Sequence, residues 1–262
     1  MNFASVEQII YAPAPYKGYS VRAKSKAADV DSFKNAFKDF LIPFDQSIVL
    51  RGFLEKVMVV GINRLYLARV FQAQGLDELK RSGVVSQIVE IPTDLLLQKK
   101  LLLSSVDNLM AEFTERNGVP TGEITPLEVP IGFEKDVELN MIREAIPEDV
   151  VRKLLEHSRT DKFKLFIIYR SQNIDILSYG LARIIPGAAS KWIIIASEDI
   201  KRDVLFLYDG VLIIGKTLPP WARVKGWSII NLEKVQGSAS VDKPIEAIIK
   251  EIYHDKGTDE NH

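Results

Sequence analysis

From Val6 to Ala12 the run VEQIIYA reads as a strand, and from Tyr19 to Ser25 YSVRAKS reads as a second one in which apolar and basic residues alternate. Pro13, Pro15 and Gly18 lie between them and predict a turn, so the two strands are expected to form a hairpin. Phe33, Phe37, Phe40 and Leu41 then recur three or four apart behind Asp29 and Asp31, which predicts a capped helix ending before Pro43. Aromatic residues at this spacing point to core packing rather than a cofactor site. Two β-branched or aromatic runs flank Gly61, Ile62 and Asn63, a second hairpin signal, and VVSQIVEIP adds another strand. A single helix is expected from Thr93 and Asp94 through Arg116, with Leu102, Val106, Leu109, Met110 and Phe113 on one face and Asn117-Gly118 as its stop.

The segment 119–134 carries Pro120, Pro126 and Pro130 with Gly122 and Gly132, and so reads as a linker or a crossing loop. Two short helices should follow, the second starting near Pro147 and running toward His157. FKLFIIYR is an apolar strand, Ile174, Leu177, Leu181 and Ile184 have helical spacing, and KWIIIAS is apolar again, so a βαβ crossover is expected. VLFLYDGVLIIG predicts a hairpin turning at Asp209-Gly210, and a last helix near Pro244 should bury Ile245, Ile248, Ile249 and Ile252. The fold class is therefore α/β or α+β, with a mixed-sheet N-terminal half and a βαβ-containing C-terminal half. The expected division is 1–118 and 135–262 about the 119–134 segment, the alternative being one continuous domain over 1–255.

Composition narrows the chemistry. The chain of 262 residues holds 47% hydrophobic residues, ample for buried cores, and 34 basic against 35 acidic residues give a formal charge of −1. Whole-molecule attraction to nucleic acid or an anionic membrane is thus not implied, and only local patches could bind such partners. No cysteine is present, which excludes disulfides, thiolate metal sites and thiol catalysis, and fits either a reducing interior or a hot habitat with a thermostable protein. Histidines are only His157, His254 and His262. The opening segment lacks a basic stretch followed by a long apolar run, and no apolar run is long enough to span a bilayer, so a cytoplasmic protein without membrane contact is expected.

Neither GxxxxGK[ST], GxGxxG nor GxSxG occurs, which argues against a phosphate-cradling loop or a serine hydrolase elbow, and no cofactor is implied. Glu198, Asp199, Asp203 and Asp209 follow or flank strands, where α/β enzymes hold magnesium, although Lys201 and Arg202 interrupt them. From Tyr16 to Lys26 the chain carries Lys17, Arg22, Lys24 and Lys26 with no acid, beside Tyr16 and Tyr19. On a strand Arg22, Lys24 and Lys26 would share a face with Ser20, forming a basic stripe for phosphate or an acidic partner, or else a charged edge that prevents aggregation. TLPPWARVKGW gathers Trp221, Arg223, Lys225 and Trp227, which suits an interface or base stacking, or ordinary packing of Trp beside a proline turn.

Three segments, YAPAPYKGYSVRAKS, YLARVFQAQGLDELKRSGVVSQIVEIP and YGLARIIPGAASKWIIIASED, together resemble the N-terminal region of bacterial GTPase-associated proteins. That family shows a glycine-rich turn and a histidine in the second segment. Here Gly83 is present, and Ser86 and Gln87 stand where the histidine would fall. The resemblance implies an accessory protein acting with an NTPase such as a GTPase, rather than a known reaction. The resulting expectation is a non-catalytic binding or adaptor protein with a protein partner, using Tyr19, Arg22 and Lys24 on one surface and Trp221, Arg223 and Lys225 on another. A magnesium-dependent phosphodiesterase or nuclease using Glu198, Asp199 and Asp203 is one alternative. Direct nucleic-acid binding through the local basic patches is the other.

Overall fold

The computed structural model describes residues 2–14, 18–37, 55–61, 63–73, 76, 83–97, 101–133, 136–157, 163–168, 174–185, 191–195, 210–215, 228–231 and 243–254. Alternation in the opening segment produces β1 (Asn2–Ala14) and β2 (Gly18–Ser25), paired antiparallel as expected. Asp29 caps the next helix, its Oδ1 accepting the Asp31 and Ser32 N–H groups at 3.1 and 3.3 Å. That helix, α1 (Val30–Phe37), buries Phe33 and Phe37 edge-on against Tyr66, while Phe40 and Leu41 lie outside the described residues. The second expected hairpin is present as β3 (Glu55–Gly61) and β4 (Arg64–Ala73), and VVSQIVEIP forms β5 (Gly83–Pro92) beside β4.

Where one helix was expected after Thr93 there are two, α2 (Thr93–Leu97) and α3 (Leu103–Asn117). Leu102 is extended, with φ −101° and ψ 128°, so the helix is broken there. Leu101, Leu102 and Leu103 are all buried, and three successive residues cannot share one helical stripe. The break also places the Ser104 N–H against Glu138 Oε1 at 2.6 Å, so a carboxylate distant in sequence caps α3. At the other end Gly118 has φ 63° and its N–H bonds Thr114 O at 2.8 Å, as Asn117-Gly118 predicted.

The segment expected as a linker or crossing loop carries two strands, β6 (Gly122–Ile124) parallel to β2 and β7 (Leu127–Ile131) antiparallel to β1. After it come α4 (Val137–Ala145), α5 (Glu148–His157), β8 (Phe163–Ile168), α6 (Ile174–Ile184), β9 (Lys191–Ile195), β10 (Gly210–Gly215) and β11 (Ser228–Asn231). Helix α7 (Lys243–Ile249) runs on as a π turn over Lys250–His254; Ile245, Ile249 and Ile252 are buried as expected, while Ile248 is only half-buried. The strands form one mixed sheet in the order β11-β8-β10-β9-β3-β4-β5-β1-β2-β6, with β7 joined to β1 off that path. Its β3 to β1 portion is antiparallel, and β9, β10, β8 and β11 are mutually parallel. This is an α/β protein.

Helix α6 does connect two parallel strands, but β10 lies between β8 and β9. Both edges of β10 are taken by these parallel neighbours. The expected hairpin partner of β10, Val204 to Tyr208, and its turn at Asp209 lie outside the described residues.

Leu65, Leu67, Val89 and Ile91 face one side of the sheet and join residues of α2 to α7 in a single core cluster. Tyr66 alternates to the other side, where α1 packs. Two polar clasps fasten the helices over the first side. Arg69 on β4 donates from Nη1 to the Asp107 carbonyl at 2.8 Å and to its carboxylate at 3.2 Å. Arg183 on α6 pairs through Nη1 with Asp136 at 2.7 Å and Glu138 at 3.3 Å, and donates from Nη2 to Leu96 O at 3.2 Å. Burial pushes the Glu138 carboxyl up, while the Ser104 N–H and Arg183 pull it back.

Gly180 is where α6 meets α4 most closely: a Cβ there would lie 2.6 Å from Glu138 O and from Ile142 Cγ1. In an exposed helix Gly→Ala stabilises by about 1 kcal/mol through propensity. At this crossing the overlap reverses the sign, so Gly180→Ala should lower stability by about 1–3 kcal/mol in urea unfolding. A measured gain would contradict the close packing of α4 and α6.

Tyr253 donates its hydroxyl to Ile146 O at 2.6 Å, and burial, reinforced by Glu148 and Asp149, raises its pKa. In the unfolded chain this phenol ionises near pH 10, while in the folded chain it keeps its proton. The unfolded state then binds fewer protons, and stability falls as pH rises above about 10. Tyr253→Phe should cost about 1 kcal/mol at neutral pH, and the deficit should shrink in alkaline denaturation curves.

Candidate functional site

The basic strand β2 lies near the sheet edge between β1 and β6. Its register with β1 runs Ile9↔Lys24 and Ile10↔Ala23, then Tyr11↔Val21 and Ala12↔Ser20, so Arg22 is the extra residue of a β-bulge. The bulge shifts the alternation by one residue. Ser20 thus pairs with Ala12 and Lys24 with Ile9, on opposite faces, and Lys26 lies past the end of β2, so the expected common face of Ser20, Arg22, Lys24 and Lys26 is not formed.

Nevertheless the cations converge. Arg22, Lys24 and Lys26 line an open cavity of about 400 Å³ with Val21, Ala23, Gly122 and Glu123. Strand β6 supplies the last two residues through the parallel register Ala23↔Gly122 and Lys24↔Glu123. Arg22 donates from Nη1 to Pro13 O at 3.1 Å and to Leu76 O at 2.6 Å, and Lys24 donates from Nζ to Ala28 O at 3.2 Å. Among the described residues none of the three cations forms an ion pair, whereas Arg64, Arg69, Arg116, Arg152 and Arg183 each pair with a carboxylate. Three cations face a single carboxylate, Glu123, across this groove. The lining thus carries a formal excess of two positive charges although the whole chain is nearly neutral.

Tyr19, expected on the same surface, is placed apart from the cavity lining. It stacks on Tyr11 with ring centroids 6.2 Å apart, and its hydroxyl accepts the Val84 N–H at 3.4 Å. Burial raises the pKa of both phenols, slightly offset at Tyr19 by the Val84 bond. Tyr19 thus braces β2 against β1 and β5. Glu123 and Gly122 escaped the sequence reading because their strand is three residues long and sits among prolines.

Behind the groove lies a buried polar seam. Ser25 Oγ accepts the Gln8 N–H at 2.8 Å and donates toward Glu7 Oε2 at 2.5 Å. Gln8 Nε2 reaches Thr125 O at 2.7 Å, and Gln87 Nε2 donates to Gln8 Oε1 at 3.0 Å. These bonds tie β6 and β5 to β1, which fixes the edge that carries the cations. Ser86 and Gln87, at the position of the resembled family's histidine, are 3% and 0% exposed inside the sheet. Gln87 Oε1 has no hydrogen-bond partner among the described residues.

The second proposed surface, Trp221, Arg223 and Lys225, lies outside the described residues, as do Glu198, Asp199, Asp203 and Asp209. Among the described residues no group of three or more His, Asp or Glu side chains is arranged to hold a metal ion. Likewise, among them no helix is long and apolar enough to cross a membrane. No protein-family model matches this chain, and no curated protein matches it.

Ser25 anchors the seam, so its removal tests it. Ser25→Ala leaves the buried Gln8 N–H without its acceptor and should destabilise the protein by about 1–3 kcal/mol in denaturant titration. A neutral result would mean that β1 and β2 hold together without this bond.

Proposed function

We propose that this protein is a non-catalytic binding module that acts in the cytoplasm, and that the groove lined by residues of β2 and β6 receives anionic groups of a partner. One observation carries this reading: Arg22, Lys24 and Lys26 line a common cavity without ion-pair partners among the described residues, while most described arginines are neutralised. Unpaired like charges held together raise the energy of the free protein, and an anionic partner relieves that repulsion. The bulge at Arg22 and the anchoring of its Nη1 on two carbonyls hold part of the site in place before binding, which lowers the ordering cost. A protein partner such as a GTPase or another NTPase agrees with the resemblance noted in the sequence.

Co-purification from native cells under mild, low-salt conditions tests this function. The wild-type chain should retain a partner that is lost from Lys26→Glu and from the double variant Lys24→Glu/Lys26→Glu, with thermal melting of Lys26→Glu unchanged because Lys26 is exposed. Raising salt should release the partner, since screening weakens exposed charge pairs. Recovery of the wild-type chain alone, or equal recovery of the partner by the charge-reversed variants, would rule out the groove as the binding surface.

A further inference from the structure

We propose that the anion taken by this groove is a phosphate monoester dianion, gripped by Arg22 and neutralised by Lys24 and Lys26. The proposal rests on the binding reading above and gives it a ligand class. Arg22 carries five N–H donors, and both on Nη1 are engaged by the Pro13 and Leu76 carbonyls. That leaves Nε–H and Nη2 as a planar fork, held in orientation by backbone, and a fork of this kind matches two oxygens of one phosphate. Lys24 spends one of its three N–H groups on Ala28 O and keeps two. Lys26 is exposed and adds a mobile charge.

Charge matching selects among anions. Three cations and Glu123 leave an excess of two positive charges, close to the charge of about −2 of a phosphate monoester at neutral pH. A single carboxylate neutralises only half of that excess, and a phosphodiester does no better. The groove is open, so a phosphoryl group can reach the cations while its attached group stays in solvent. Arg22 sits at the bulge, where the Pro13 and Leu76 carbonyls fix its guanidinium while it shares the lining with Lys24.

Titration calorimetry of the full chain at low salt provides the test, with phenyl phosphate as the probe. Phenyl phosphate should bind saturably, and affinity should rise as pH passes about 6, where the monoester loses its second proton. Arg22→Lys keeps the charge but removes the fork, and should weaken binding by about tenfold or more. Lys26→Gln, at an exposed position, should weaken it by a few fold and serves as the variant without a folding effect.

A phosphoserine peptide run beside the probe separates the two sources. Binding at least about tenfold tighter than phenyl phosphate assigns the phosphoryl group to a modified partner protein, and equal or weaker binding assigns it to a free phosphorylated small molecule. The proposal is overturned if no saturable binding occurs, if phthalate or a single-stranded oligonucleotide without terminal phosphate binds as tightly, or if Arg22→Lys binds like wild type. A partner that co-purifies through Lys24 and Lys26 while phenyl phosphate fails to bind would leave the binding module standing and remove only the phosphoryl assignment.

Discussion

A buried carboxylate, Glu138, joins the helical layer. It is 0% exposed, caps the start of α3 through the Ser104 N–H, and pairs with Arg183, which also bonds Asp136 and Leu96 O. Elements from both halves of the chain therefore meet at one charged group. Desolvating such a charge costs several kcal/mol, and only the full set of partners offsets it. That requirement dictates geometry: α2 and α3 must separate at Leu101-Leu102, and α6 must come close enough to α4 that only glycine fits at position 180. The helices are held in one arrangement over the sheet, which in turn supports the strands that carry the groove.

The groove follows a different logic. Its wall residues are not buried ions seeking partners but cations without ion pairs among the described residues, on a sheet edge that a buried seam of Gln8, Ser25 and Gln87 keeps in register. Rigid backbone and uncompensated charge are a combination that costs stability and favours recognition. The nearly neutral whole-chain charge conceals it because, of the 35 acidic residues that balance the total, only Glu123 lines this groove.

Local signals were read correctly where a local cause acts. Alternation marked β1 and β2, Gly61-Ile62-Asn63 marked the β3–β4 turn, and Asn117-Gly118 marked the end of α3. The helix through Arg116 was overextended because leucine favours helix at every position, whereas the break is set by Glu138, 34 residues away from Ser104. Strands β6 and β7 were missed for a related reason: each is short, rich in or flanked by proline, and stabilised by pairing with the opening hairpin. Of the groove, Arg22, Lys24 and Lys26 stood out as a run of cations without acids. The bulge at Arg22, and the Glu123 that shares the lining with the cations, exist only once strand pairing is specified.

The insertion of β10 between β8 and β9 has a consequence for synthesis. As the chain emerges, β8 and then β9 are complete before β10 exists, and β11 comes later still. Strand β8 has its two neighbours in β10 and β11, so both its edges stay unpaired while the intervening chain is being made. Its sequence, FKLFII, is apolar apart from Lys164 and ends in two β-branched residues, the kind of nascent strand that pairs with a neighbouring polypeptide if given time. Helix α6, already present, covers apolar surface but cannot satisfy strand edges. The parallel half of this sheet is thus a stretch of the chain whose safe folding depends on how quickly translation delivers what comes next.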